Sequence, residues 1–196
     1  MAAEEALETG DISPKLLRMI FEQYRLSVSG IHGVAHWGRV LENGRRLARF
    51  TGADPRVVEL FAVFHDACRA NDGLDPDHGP RAAALARSWR NWIDIDDAGF
   101  ALLLEACDCH TRGPRRAADV TVFTCLDADR LDIPRIGKRI KPELLFTSTA
   151  RDPLMILWAG GRGDRRETPP VCAEEWGLRQ RQPRSPGPQP CPSCPS

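Results

Sequence analysis

The residues in this chain most suited to chemistry are histidines and carboxylates placed at the ends of apolar runs. In Phe61-Ala62-Val63-Phe64-His65-Asp66, a nearly solid apolar stretch stops at an imidazole and a carboxylate. Adjacent buried polar groups need partners, because burial without them is costly. A divalent metal suits both, since neutral imidazole and carboxylate are ligand types for Zn, Fe, Mn or Co. The alternative is a histidine at a helix end beside a capping or ion-paired aspartate. In chain order the series reads His36, His65-Asp66, His78, His110 and Asp127, and His32 stands four residues before His36. Val120, Phe123, Asp127 and Leu131 recur at helical spacing, which makes Asp127 the acidic member of an apolar stripe. A carboxylate there needs a cation, a donor or a raised pKa, and an internal salt bridge with Arg130 would also serve. Inward imidazoles and carboxylates gathered from several helices are how helical bundles build metal sites.

The elements that must position these residues are all helical in pattern. Ser13-Pro14 opens a helix with Leu16, Leu17, Ile20, Tyr24 and Val28 on one face, running through about Ser29 before Gly30. The next begins near Ile31 and carries Trp37, Val40, Leu41 and Leu47. If it already includes His32, then His32 and His36 share a face. Gly52 stops it, Asp54-Pro55 starts a helix over 55–68, and that helix delivers His65-Asp66. After the polar loop 71–77, a helix opens at His78, where free N–H groups suit an anion. A further helix follows Asp96 and ends at His110, and the last of the series spans about 116–131. Residues 142–158 offer one or two short helices, whose apolar residues would serve a homodimer as readily as the core. The fold class is therefore all-α: a flexible leader over 1–12, a helical domain over 13–159, and a disordered Pro/Arg-rich tail over 160–196. Eight of the sixteen prolines lie between Pro169 and Pro195, and deleting residues 165–196 is expected to leave folding intact.

Composition excludes several classes of function. The formal net charge is zero, which gives no strong signal for nucleic acid or a membrane surface. All of the 27 basic residues except Lys15, Lys138 and Lys141 are arginine, which reads as codon composition rather than phosphate recognition. No apolar stretch is long enough to cross a membrane, and the acidic start has no signal-peptide pattern, so cytoplasmic is the default expectation. Seven cysteines without an export signal argue against a disulfide framework. The zinc-like Cys191-Pro-Ser-Cys194 spacing has no second pair facing it.

Over about residues 30–140 the sequence resembles the HD superfamily of metal-dependent phosphohydrolases. The matching pieces are His36 within His32-Gly33-Val34-Ala35-His36-Trp37-Gly38-Arg39-Val40, the doublet His65-Asp66, and Asp127 in Leu126-Asp127-Ala128-Asp129-Arg130-Leu131-Asp132. The resemblance implies an HD-like helical bundle in which His36, His65, Asp66 and Asp127 hold a divalent metal (Mn, Fe, Co, Ni, Zn or Mg). His78 and His110 look like the additional histidines of members that hold two ions, which include the HD-GYP phosphodiesterases and the mixed-valent di-iron oxygenases. Asp66 would then bridge the ions; otherwise His78 and His110 face the substrate. No Gly-Tyr-Pro signature is present, which disfavours cyclic dinucleotides. The implied activity is cleavage of a nucleotide or small phosphorylated metabolite by metal-activated water, centred on Asp66. Arg39, Arg81, Arg112 and Arg130 are candidates to hold phosphate, and Asp129 or His32 to deliver a proton. The alternatives are a di-iron oxygenase and a non-catalytic nucleotide-sensing module.

Overall fold

The computed structural model describes residues 12–114 and 118–178. Its longer helices are α1 (Pro14–Gln23), α2 (Val34–Thr51), α3 (Pro55–Phe64), α4 (His78–Ser88), α5 (Asp97–Cys109) and α6 (Val120–Arg130), followed by α7 (Ser148–Arg151), α8 (Pro153–Asp164) and α9 (Val171–Glu174). Short 3-10 turns lie at Arg90–Trp92, Ile133–Ile136 and Pro142–Leu144, and no strand occurs among the described residues. The architecture is all-α, as the periodicity predicts.

The middle of the bundle is α3. Val57, Leu60, Phe61, Ala62, Val63 and Phe64 are fully buried, with α2, α5 and α6 packed around them and α1 and α4 touching as well. Each large side chain buried this way contributes about 1.5–3 kcal/mol. The ends of α3 are set by sequence. Asp54 accepts from Arg56 N and Val57 N, and Pro55 takes the first helical position. At the other end the helix stops at Phe64, and His65 is its C-cap. Ser13, Asp96, Asp119 and Asp152 cap α1, α5, α6 and α8 in the same manner.

Four boundaries differ from the sequence reading, and the first is that of α3, which stops at Phe64 and not at 68. Helix α1 ends at Gln23, not near Ser29, because Tyr24 turns extended and its hydroxyl donates to the His32 carbonyl at 2.9 Å. Val28, expected on the buried face, is 51 % exposed. Helix α2 starts at Val34, so His32 lies in the loop before it and does not share its face with His36 by helical spacing. The expected domain limit between 159 and 160 falls inside α8, and residues 160–178 are folded. Val171, Cys172 and Trp176 are buried, and Cys172 Sγ donates to the Val34 carbonyl. Gly38 makes room for it, since a Cβ there would stand 2.6 Å from that sulfur. Arg45 joins this segment to α3, with Nε on Glu59 at 2.9 Å and Nη1 and Nη2 on Glu175 at 2.7 and 2.9 Å. The apolar anchors and the ion pairs outweigh the prolines that suggested a tail. The leader over 1–11, the start of the helix expected from 116, the tail over 179–196 and Cys191-Cys194 lie outside the described residues.

Candidate metal centre

Five helix ends bring the histidines together. His36 is in the first turn of α2, His65-Asp66 follow α3, His78 is the first residue of α4, and His110 is the C-cap of α5. Asp129 lies in the last turn of α6. His36, His65 and Asp66 have one ligand atom each within 4.8 Å of one another, and so do Asp66, His78 and His110.

The tautomers follow from the partners of Nδ1. A carbonyl can only accept, so each Nδ1 that meets one must carry the proton. His65 Nδ1 meets the Phe61 and Ala62 carbonyls at 3.2 and 3.1 Å. His78 Nδ1 meets the Asp75 carbonyl at 2.5 Å, and His110 Nδ1 the Cys107 carbonyl at 2.8 Å. His36 Nδ1 donates to Asp132 Oδ2 at 2.7 Å, and Asp132 is held ionised: burial opposes this, but His36 and Arg39 hold its pKa below the usual carboxylate range. Burial pushes His65 down to about 3, so its ring is neutral at ordinary pH.

With a proton on each Nδ1, the four Nε2 atoms face one another in two pairs. His36 Nε2 and His65 Nε2 are 3.0 Å apart, and His78 Nε2 and His110 Nε2 are 2.8 Å apart. At these distances each pair needs either a shared proton or a cation between its two nitrogens. Asp66 stands between the pairs. Its Oδ2 lies 3.5 Å from His36 Nε2 and 3.7 Å from His65 Nε2; its Oδ1 lies 3.0 Å from His78 Nε2 and 3.8 Å from His110 Nε2. Oδ2 is buried with no hydrogen-bond partner. Asp129 Oδ1 adds a further acceptor, 3.4 Å from His36 Nε2 and 3.9 Å from His65 Nε2. Burial would raise both carboxyls, but the surrounding imidazoles hold Asp66 well below the usual range and, with Arg135, bring Asp129 to about 2.

Converging lone pairs are unfavourable unless a proton or a metal ion sits among them. Bonds of about 2.0–2.2 Å from a metal to N and O ligands place neighbouring donors about 3 Å apart, close to the spacings here. The residues therefore fit a divalent ion between His36, His65 and Asp66, with Asp129 beside the two histidines, and a second between Asp66, His78 and His110. Asp132 is the carboxylate that would orient His36 as a ligand through its far nitrogen, and Arg39 holds Asp132 through Nε at 2.6 Å and Nη2 at 3.0 Å.

Several expected roles are overturned. Asp127 is buried, as its stripe predicts, but it faces away from the histidines. It accepts from Phe146 N, Thr147 N and Thr147 Oγ1, each at 2.8 Å, and so joins α6 to the segment before α7. Asp129, two residues on, occupies the place expected for Asp127, and its ionised carboxylate is no proton donor. Arg39 is buried against Asp132 and the Glu167 carbonyl, not presented to a substrate. Arg81 is taken up by Asp75 and the Cys68 carbonyl, Arg112 pairs with Asp77, and Arg130 donates to the Leu144 carbonyl while lying over Phe146. His32 stays beside the centre with its ring centroid 6.3 Å from that of His36, and its Nδ1 meets Asp72 Oδ1 at 2.9 Å. The guanidinium groups that do reach the centre are Arg69, 3.5 Å from Asp66 Oδ1, and Arg135, 4.0 Å from Asp129 Oδ1. Sequence reasoning missed both, along with Asp132. The one available signal for Asp132 was its place three residues after Asp129, one helical turn along.

A crystal structure at 1.45 Å resolution, described as that of a predicted HD superfamily hydrolase from an uncultured Thermotogales bacterium, matches this chain with a TM-score of 0.58. The sequences are 26% identical, and the match covers 77% of this chain and 86% of that one. The chain has the HD-domain fold. No family model matches the sequence, and no curated protein matches it. In this HD-domain chain the doublet of the fold's name is His65-Asp66, and both of its members point into the acceptor cluster. Among the described residues no helix is long and apolar enough to cross a membrane.

Proposed function

We propose that this HD-domain chain is a metal-dependent hydrolase of phosphate esters, with a nucleotide or another small phosphorylated metabolite as substrate and two divalent ions bridged by Asp66. The observation that carries the reading is Asp66, whose two oxygens each face a separate pair of imidazole nitrogens. The hydrolase description of the Thermotogales protein agrees with it. When bound, such ions lower the pKa of water and stabilise charge on a phosphoryl oxygen. The chain's own residues do the rest. Asp132 and the backbone carbonyls that take the other three ring protons hold each imidazole with Nδ1 turned away and Nε2 turned toward the centre. Arg69 and Arg135, both buried, place fixed positive charge beside Asp66 and Asp129. His32 is held beside the centre by Asp72, and burial lowers its pKa, so it stands there as a neutral ring able to accept a proton.

The test is hydrolysis of p-nitrophenyl phosphate and of nucleoside mono- and triphosphates by protein loaded with Mn, Co, Zn or Fe, alongside the His65→Ala variant. Turnover that disappears with His65→Ala is expected. Two ions bound per chain with no phosphate released from any of these substrates would refute the activity. A di-iron oxygenase is the second reading, because His78 and His110 together form the second donor set that it requires. Iron-dependent oxygen consumption, lost in His110→Ala, would favour it.

A further inference from the structure

The two acceptor sets differ in one respect. Among the described residues the first set has no cation inside it; Arg135 touches it only at Asp129 Oδ1, at 4.0 Å. The second set already has one. Arg69 Nη1 lies against the His78 ring, 3.4 Å from Nδ1 and 3.2 Å from Nε2, and 3.5 Å from Asp66 Oδ1. Arg69 is only 8 % exposed, and the rest of its guanidinium is spent on the loop that follows. Nε donates to the Asn71 carbonyl at 3.3 Å and Nη2 to the Gly73 carbonyl at 2.8 Å. That loop also carries Asp72, the partner of His32.

We propose that Arg69 is a built-in competitor for the second ion. It shares Asp66 Oδ1 with that ion and keeps a fixed positive charge within a few ångströms of where the ion would bind. The first set, with the unpartnered Asp66 Oδ2 and with Asp129, fills first. Binding of the second ion works against Arg69 and, through Arg69, against the loop over Asn71–Gly73. The two positions therefore load in order and with unequal affinity, and occupancy of the second is coupled to the loop that holds Asp72 against His32. This rests on the two-ion reading given above.

The test is a titration of metal-free protein with Co(II), followed by calorimetry and by visible absorption, on the wild type, Arg69→Met and Arg69→Lys. Methionine keeps most of the apolar stem and removes the charge; lysine keeps the charge. The wild type is expected to bind one ion tightly and a second more weakly. Arg69→Met should tighten the second event by at least about tenfold, the scale of a lost charge-assisted interaction, and leave the first unchanged. Arg69→Lys should keep the second event weak, which excludes a general loosening of the loop as the cause. Two events of equal affinity in the wild type, or a second event unchanged or weakened in Arg69→Met, would overturn the competition. Failure of the two-ion reading looks different: a single event in the wild type and in Arg69→Met alike, or a first event that survives His65→Ala.

Discussion

Asp127 and Asp129 sit two residues apart on one helix, and exchanging each for asparagine should separate folding from metal binding. Asp127 takes three hydrogen bonds at 2.8 Å, from Phe146 N, Thr147 N and Thr147 Oγ1. Asparagine keeps one acceptor oxygen and turns an amide group toward at least one of those donors. A hydrogen bond to a charged group contributes about 1.5–3 kcal/mol, and a buried donor left without a partner costs about 1–3 kcal/mol. Burial also raises the Asp127 pKa, which trims the charged contribution, so a loss of about 2–4 kcal/mol is expected for Asp127→Asn. In a domain of this size each kcal/mol moves the melting temperature by about 2–4 °C, giving a drop of roughly 5–15 °C. Its metal content should be unchanged. Asp129→Asn should do the opposite. It withdraws one negative oxygen from a crowd of acceptors, so melting shifts little, while ion affinity falls by more than about a hundredfold, beyond the usual effect of losing a supporting partner. Thermal melts by circular dichroism and elemental analysis after dialysis read the two quantities on the same samples. If Asp127→Asn loses the metal and Asp129→Asn retains it, the assignment of the two carboxylates is wrong.

Truncation after Asp164 removes buried Val171, Cys172 and Trp176, the Glu175 partner of Arg45 and the Glu167 carbonyl that holds Arg39. At about 1.5–3 kcal/mol for each large apolar side chain, this consumes much of a typical stability of about 5–15 kcal/mol, so the shortened chain should be unfolded or insoluble. A truncation after Leu178 is the control, and equal melting of the two would show that the segment contributes nothing. The pH dependence follows from His65, which burial holds at about 3 against about 6.5 in an unfolded chain. Its contribution is complete above about pH 6.5 and is lost as pH falls from there toward about 3, at up to about 1.4 kcal/mol per unit. Urea unfolding of metal-free protein should therefore show a falling midpoint between about pH 7 and pH 5; a flat midpoint would mean that the imidazole is not held neutral.

The histidines were readable from sequence because each stands where an apolar period stops, and a polar side chain at the end of a buried helix has few places to go. The carboxylate of α6 was not. Helical spacing correctly put Asp127 on a buried face, but spacing does not say what that face is buried against, and here it is the Phe146–Thr147 backbone. Asp129 leaves 22% of its side chain exposed, so an apolar stripe could not select it. The arginines failed for a related reason. Arg39 looks like a free cation along the sequence, yet its partners are 93 and 128 residues away. The segment after Gly160 was misjudged on its prolines, although Val171, Cys172 and Trp176 were visible as apolar anchors.

The acceptors of the ring protons also set an order of assembly. His65, His78 and His110 each take theirs from three or four residues earlier in the chain, so those rings can be oriented as soon as their own turns form. His36 depends on Asp132, 96 residues later. Closing so long a stretch of chain carries an entropic cost that local turns do not. Three of the four imidazoles are therefore oriented by their own turns, whereas the fourth is set only where α2 meets the turn after α6, so His36 depends on the whole domain being in place.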